Sequence, residues 1–276
     1  MSAHSAKHPF HMVNPSPWPA TGAFSALLLA VGAILYFHKT PVFGMENLGA
    51  FKLVPGLFMV LLTMTMWWRD VIKESVVDHA HTSETAHGLR MGMVLFIASE
   101  VMFFVAFFWA FFHNALGFST TTHQWPPAGI QVLDAWAIPF YNTVILLTSG
   151  ITVTRAHLMV ERGDNKTASK WLFITVALGA LFLSLQAYEY IHAGYKLTDG
   201  VYPSVFYLAT GFHGFHVFVG TVFLLVCAFR AQADQFTPEK HIGFQAAAWY
   251  WHFVDVVWLF LFVWVYWILG LPVRTF

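Results

Sequence analysis

The stretch MGMVLFIASEVMFFVAFFWAFF, residues 91–112, decides the class of fold, because Glu100 is its only charged residue. About 20 mainly apolar residues carry a helix across the hydrocarbon layer of a bilayer. Working outward, six further segments meet that length: 20–38, 51–68, 135–154, 171–190, 200–229 and 244–270, the last broken only by Asp255. Of the 276 residues 58% are apolar and 10% charged, against roughly 25% charged in a soluble protein. The exterior is therefore lipid, and a soluble enzyme or a disordered chain is excluded. Lys plus Arg and Asp plus Glu each number 14, so the charge balance indicates no nucleic-acid partner. A lone cysteine, Cys227, removes internal disulfides and thiolate clusters. The expected fold class is all-α, a polytopic protein of seven transmembrane helices.

Loop composition gives the organisation. Cytoplasmic loops retain Lys and Arg, and only Lys39, Lys52, Lys196 and Arg274 fall on the side away from the N-terminus. The N-terminus is accordingly expected inside. The residues before the first span, with His4, Lys7, His8 and Pro9, form neither a charged signal region nor an Arg-rich presequence, so that span is expected to be retained. The charged segment 71–90 is the expected hinge within one integral-membrane domain, 1–276, dividing a helix pair (15–70) from five helices (91–276). The outer loop, 113–134, contains Trp125, Pro126 and Pro127 and is expected to be ordered. Trp18, Trp67, Trp68, Trp136, Trp171 and Trp267 lie near span ends, where indoles anchor at headgroup depth.

The polar residues inside the spans carry the candidate chemistry. Glu100 has Phe96, Phe103, Phe104 and Phe107 at helical spacing. Desolvation disfavours its charged form, so it is expected to be protonated. It reads either as a proton relay or regulatory carboxyl, or as a neutral group bonded to a neighbouring helix. His213 and His216 share a face of the sixth span, as His252 and Asp255 do of the seventh. Together they have the composition of a non-haem metal site. They equally suit interhelical hydrogen bonding, with Gly211, Gly214 and Gly220 allowing close approach. A di-iron carboxylate site needs about four carboxylates, and only Glu100 and Asp255 lie mid-span. Gln186, Glu189 and His192 read as an interfacial polar cluster, or Glu189 equally as facing a neighbouring chain. Trp67, Trp68, Arg69 and Lys73, with Arg230 on the same side, suit phospholipid phosphates, or ordinary positive-inside topology.

Several classes fall away. The sixth and seventh spans contain no Lys for a retinal Schiff base. Only His213, His216 and His252 are near mid-span, too few for a haem-copper catalytic chain. No phosphate-binding glycine motif is present, and no span shows the paired interruptions of a transporter. A proton-coupled role through Glu100 and Asp255 stays open.

The segments HMVNPSPWP (from His11), WWRDVIKES, GLRMGMVLFIASEVMFFVAFFWAFFHNAL, IPFYNTVILLTSG, QAYEY, ATGFHGFHVFVGT and AAAWYWHFVDVVWLFLF are those of a known family. In this order, over nearly the whole chain, the sequence resembles the subunit III family of the aa3-type cytochrome c oxidases. The resemblance implies a chain without haem, copper or catalytic residues, the redox centres belonging to subunits I and II. It implies helices one and two splayed from helices three to seven, with phospholipid between them. Headgroup contacts would fall on Trp68, Arg69, Lys73, Glu74, His81 and Arg230. Lys73 stands where many members have Arg, so bidentate phosphate binding is lost there. Glu100 matches the family's intramembrane carboxyl. The implied role is aerobic respiration in a bacterial or mitochondrial inner membrane, with the N-terminus on the cytoplasmic or matrix side.

Overall fold

The computed structural model describes residues 11, 13–41, 44, 48–117, 124–268 and 274–275. Their seven helices are long and apolar enough to cross a membrane, and the chain is an integral membrane protein. The helices are α1 (Trp18–Phe37), α2 (Val54–Val76, entered through a 3-10 turn, Gly49–Leu53), α3 (Ser83–Ala115), α4 (Ile138–Glu161), α5 (Asn165–His192), α6 (Val201–Gln232) and α7 (Ile242–Leu261, widening into a π turn, Phe262–Ile268). A short antiparallel pair joins β1 (Gln124–Trp125) to β2 (Arg274–Thr275). The chain forms two compact units, Met1–Gly88 and Leu89–Phe276. His4, Lys7, His8 and the expected end of the seventh span at Gly270 lie outside the described residues, as does part of the outer loop.

Helix ends depart from the hydropathy limits for local reasons. α2 continues through WWRDVIKES to Val76 and α3 begins at Ser83, so the link read over 71–90 is non-helical only over 77–82. Apolar composition stops where lipid stops, whereas Lys and Glu propagate a helix well in water. His79, at φ 50°, turns the chain, and Thr82 Oγ1 accepts from the Thr85 amide at the next helix start. α4 starts at Ile138 because Pro139 suits a first turn. α5 starts at Asn165, where Asp164 Oδ1 accepts from the Thr167 amide at 3.0 Å. Hydrogen bonds from the Thr167 hydroxyl and amide hold the Asp164 carboxyl below the usual carboxylate range.

In the first unit α1 packs on α2. Trp18 Nε1 donates to Asp70 Oδ2 at 2.8 Å, tying the start of α1 to the last turns of α2. Midway, the buried hydroxyls of Ser25 and Thr63 meet at 3.3 Å. Lys52 Nζ donates to the carbonyls of Leu35 and Thr40, capping the far end of α1. Gly56 lies on the backbone of Leu29, a closeness that any Cβ would prevent. Phe24, Leu27, Phe58 and Leu61 are exposed, as lipid-facing residues are.

The core of the second unit sits among α4, α5, α6 and α7. The indole of Trp251, fully buried, fills a slot between Gly179 of α5 and Gly220 of α6, where a Cβ at either would come within 2.8 Å of the ring. Its Nε1 donates to Ser149 Oγ of α4 at 2.9 Å. Trp258 Nε1 donates likewise to Thr143 Oγ1. Of the three glycines expected at helix contacts only Gly220 serves as one: a Cβ at Gly211 would meet just the Tyr190 hydroxyl at 3.9 Å, and one at Gly214 nothing within 4 Å. α3 rests on α6 and α7 through rings, with Phe103 and Phe107 on Phe212, Phe108 on Phe260 and Phe112 on Trp264. From the loop between α3 and α4, Trp125 is buried against Phe111 and Tyr202.

Candidate functional site

The carboxyl of Glu100 meets a partner on another helix. Its Oε2 lies 2.9 Å from His216 Nε2, with side-chain exposures of 18% and 5%. The His216 Nδ1 atom is 2.7 Å from the Phe212 carbonyl. A carbonyl only accepts, so Nδ1 carries a hydrogen. One further proton then occupies the Glu100–His216 contact, as carboxylic acid to imidazole or as carboxylate to imidazolium. Either way the pair is electrically neutral, which suits a helix among lipid tails. The expected neutral carboxyl is one of these two arrangements. Phe104 and Phe212 wall the imidazole, with ring centroids 5.1 and 4.5 Å away.

The other mid-span groups do not converge with it. His213 is fully buried beside Phe182 and Trp258, and its Nε2 donates to the Val254 carbonyl at 3.2 Å. His252 Nδ1 lies 3.5 Å from Asp255 Oδ2, and its Nε2 reaches Thr154 Oγ1 of α4 at 3.2 Å. Gly150 leaves room for this pair: a Cβ there would stand 2.5 Å from Asp255 Oδ2. The second carboxyl oxygen, Oδ1, is buried without a partner among the described residues. His213, His216, His252 and Asp255 thus serve three separate contacts and form no shared donor cluster among the described residues.

Gln186 and Glu189 are buried, contrary to the interfacial reading. Gln186 Nε2 donates to Glu189 Oε2 at 2.8 Å, Tyr266 donates its hydroxyl to the same oxygen at 2.9 Å, and Asn142 Nδ2 donates to Gln186 Oε1. Sequence spacing gave no sign of this, since Tyr266 arrives from the π turn after α7. His192 stays exposed, its ring stacked on Tyr188 at 4.0 Å.

Five of the six residues assigned to phospholipid lie in the first unit. Trp68 and Lys73 are exposed. Arg69 is also exposed, its guanidinium 3.4 Å from Asp70 Oδ1. Glu74 and His81 come together with His11, each offering a donor atom within 4.8 Å of the others. In the sequence His11 reads only as the start of a family segment; its ring also lies 5.6 Å from that of His81. α1 and α2 form a groove of about 500 Å³ lined by Gly22, Ala26, Val60, Met64, Trp67 and Trp68, together with the buried Ser25 and Thr63. The sixth residue, Arg230, belongs to the second unit. It donates through Nε to Gln235 Oε1 at 3.2 Å and lies 4.6 Å over the Phe236 ring.

Comparison with known proteins adds independent findings. A model of the family described as cytochrome c oxidase subunit III matches residues 8–269. Among curated proteins, cytochrome c oxidase subunit 3 of Marchantia polymorpha is 53% identical over 95% of this chain and 97% of its own length. The protein of the same name from Arabidopsis thaliana is 51% identical over 95% and 97%. That of Scyliorhinus canicula is 50% identical over 96% and 98%.

Proposed function

The chain belongs to the cytochrome c oxidase subunit III family, and from that premise we propose that it acts beside subunits I and II as a lipid-holding subunit without a redox centre. Haem and copper reside in those partners. This chain retains phospholipid, stabilises subunit I and sustains its proton uptake in a bacterial or mitochondrial inner membrane, with its N-terminus on the cytoplasmic or matrix side. The observation that carries the reading is the α1–α2 groove, walled mainly by apolar side chains with the indoles of Trp67 and Trp68 among them; Arg69, next in sequence, and Lys73, one turn further along α2, are exposed. Acyl chains suit its walls, and a phosphate suits the exposed cations of the same helix. Glu74 and His81 of the same unit join them in the assigned headgroup set. Glu100, neutralised with His216, adds a polar contact at membrane depth without a net charge.

Purified oxidase carrying Arg69→Ala with Lys73→Ala tests this. The expected result is less co-purifying phospholipid by mass spectrometry, unchanged haem content, and turnover that decays faster than in the parent. Unchanged lipid would remove the proposal; loss of haem on purification would show that the residues serve assembly instead.

A further inference from the structure

At the end of α4, His157 and Glu161 stand four residues apart on one helix face, and His241, the residue before α7, is brought against them. The His157 and His241 rings meet at right-angle-like tilt, 5.2 Å between centroids. Each of the three residues offers a donor atom, and the three atoms lie within 4.8 Å of one another. We propose that His157, Glu161 and His241 form a binding site for a divalent transition ion of the zinc class, stapling the end of α4 to the start of α7.

Three observations support a site rather than a chance cluster. The Nε2 atom of His157 is buried with no hydrogen-bond partner among the described residues, so a lone pair or a proton there is left unused. The Nδ1 atom of His241 is 3.0 Å from the Thr237 carbonyl. That carbonyl only accepts, so Nδ1 holds the hydrogen and the neutral ring presents Nε2 as a free donor to a metal. A second bond of this type is what orients metal-bound histidines. The loop that carries His241 is also fixed: Thr237 and Lys240 exchange backbone hydrogen bonds at 3.3 and 3.1 Å, and Asn165 Nδ2 donates to the Phe236 carbonyl at 2.8 Å. Phe244 walls His157 on the other side.

Two imidazoles and a carboxylate suit zinc and its neighbours, and leave a fourth position for water. Donors roughly 2.0–2.1 Å from a tetrahedral zinc stand about 3.3–3.4 Å apart. Glu161 is exposed, so binding would draw its carboxylate inward from the present spacing of up to 4.8 Å. The ion is redox-inert, so the site is independent of where the oxidase keeps its electron carriers. The other cluster of this kind among the described residues, His11 with Glu74 and His81, overlaps the assigned headgroup region.

The test uses the assembled oxidase, stripped with a chelator and dialysed against zinc chloride, with exchangeable zinc counted per haem. The parent is expected to hold one zinc more than Glu161→Gln or His241→Ala, and in those variants the apparent Kd at this site rises by at least the ~10–100-fold that loss of an outer-shell partner costs. His81→Ala should keep that zinc. Equal zinc in parent and Glu161→Gln overturns the site, and so does loss confined to His81→Ala. Should His241→Ala fail to assemble, the surface variant Glu161→Gln still decides, with haem content as the control for an intact complex.

Discussion

Tyr266 donates its hydroxyl to Glu189 Oε2 across 2.9 Å, joining the π turn after α7 to the last turns of α5. The acceptor is buried, and its remaining donor on that oxygen is Gln186. Tyr266→Phe therefore leaves a buried carboxyl one hydrogen bond short, a loss of about 1–3 kcal/mol. Denaturant unfolding in detergent should show it, with Glu189→Gln milder because the amide still accepts from Tyr266. Equal stability of Tyr266→Phe and the parent would mean that this hydroxyl contributes nothing.

The Glu100–His216 contact predicts a coupling energy. A double-mutant cycle with Glu100→Gln and His216→Gln should return about 0.6 kcal/mol and no more than about 1.7, the mean and maximum of such cycles between membrane helices. Glu100→Gln alone should abolish labelling by a hydrophobic carbodiimide while leaving initial oxidase turnover near that of the parent. Immediate loss of turnover would place Glu100 in the reaction itself.

Asp164 predicts an acid limb. Its folded carboxyl titrates below the ordinary aspartate value, about 3.9 when unfolded. Its stabilising effect is thus complete above that value and is lost as the pH falls through the lowered folded one. Melting temperature measured from pH 5 downward should drop less steeply in Asp164→Asn, which caps a helix without titrating. Parallel curves for the two proteins would contradict this.

Gly220→Leu drives a side chain into the Trp251 ring, and overpacking of this kind costs about 1–3 kcal/mol. Gly214→Leu, with nothing within 4 Å of the new Cβ, should unfold like the parent. A reversed order of the two melting temperatures would mean that the indole slot is not rigid.

Hydropathy made the seven crossings legible because lipid imposes composition on everything it touches. It could not show helix ends: α2 runs on through Lys73 and Glu74 to Val76 once water supplies the solvent. Spacing put His213 beside His216, and His252 beside Asp255, on shared faces. It was silent on which helix each face meets, and the fold sends His216 to Glu100 of α3 and His213 to the Val254 carbonyl of α7. Glu189 looked interfacial because it closes an apolar run, and the π turn after α7 brings Tyr266 onto it. His157, Glu161 and His241 lay beyond the span limits, so no apolar pattern drew attention to them; two are four residues apart, but the third comes from a distant loop.

Trp251 touches α4 through Ser149, α5 through Gly179 and α6 through Gly220, while belonging to α7. A helix slipping lengthwise by one turn, about 5.4 Å, would exchange its glycine or serine for another residue at the ring. The four helices are thereby indexed to one another by a single gauge. Sliding of any one of them past the others would have to break the fit around this indole.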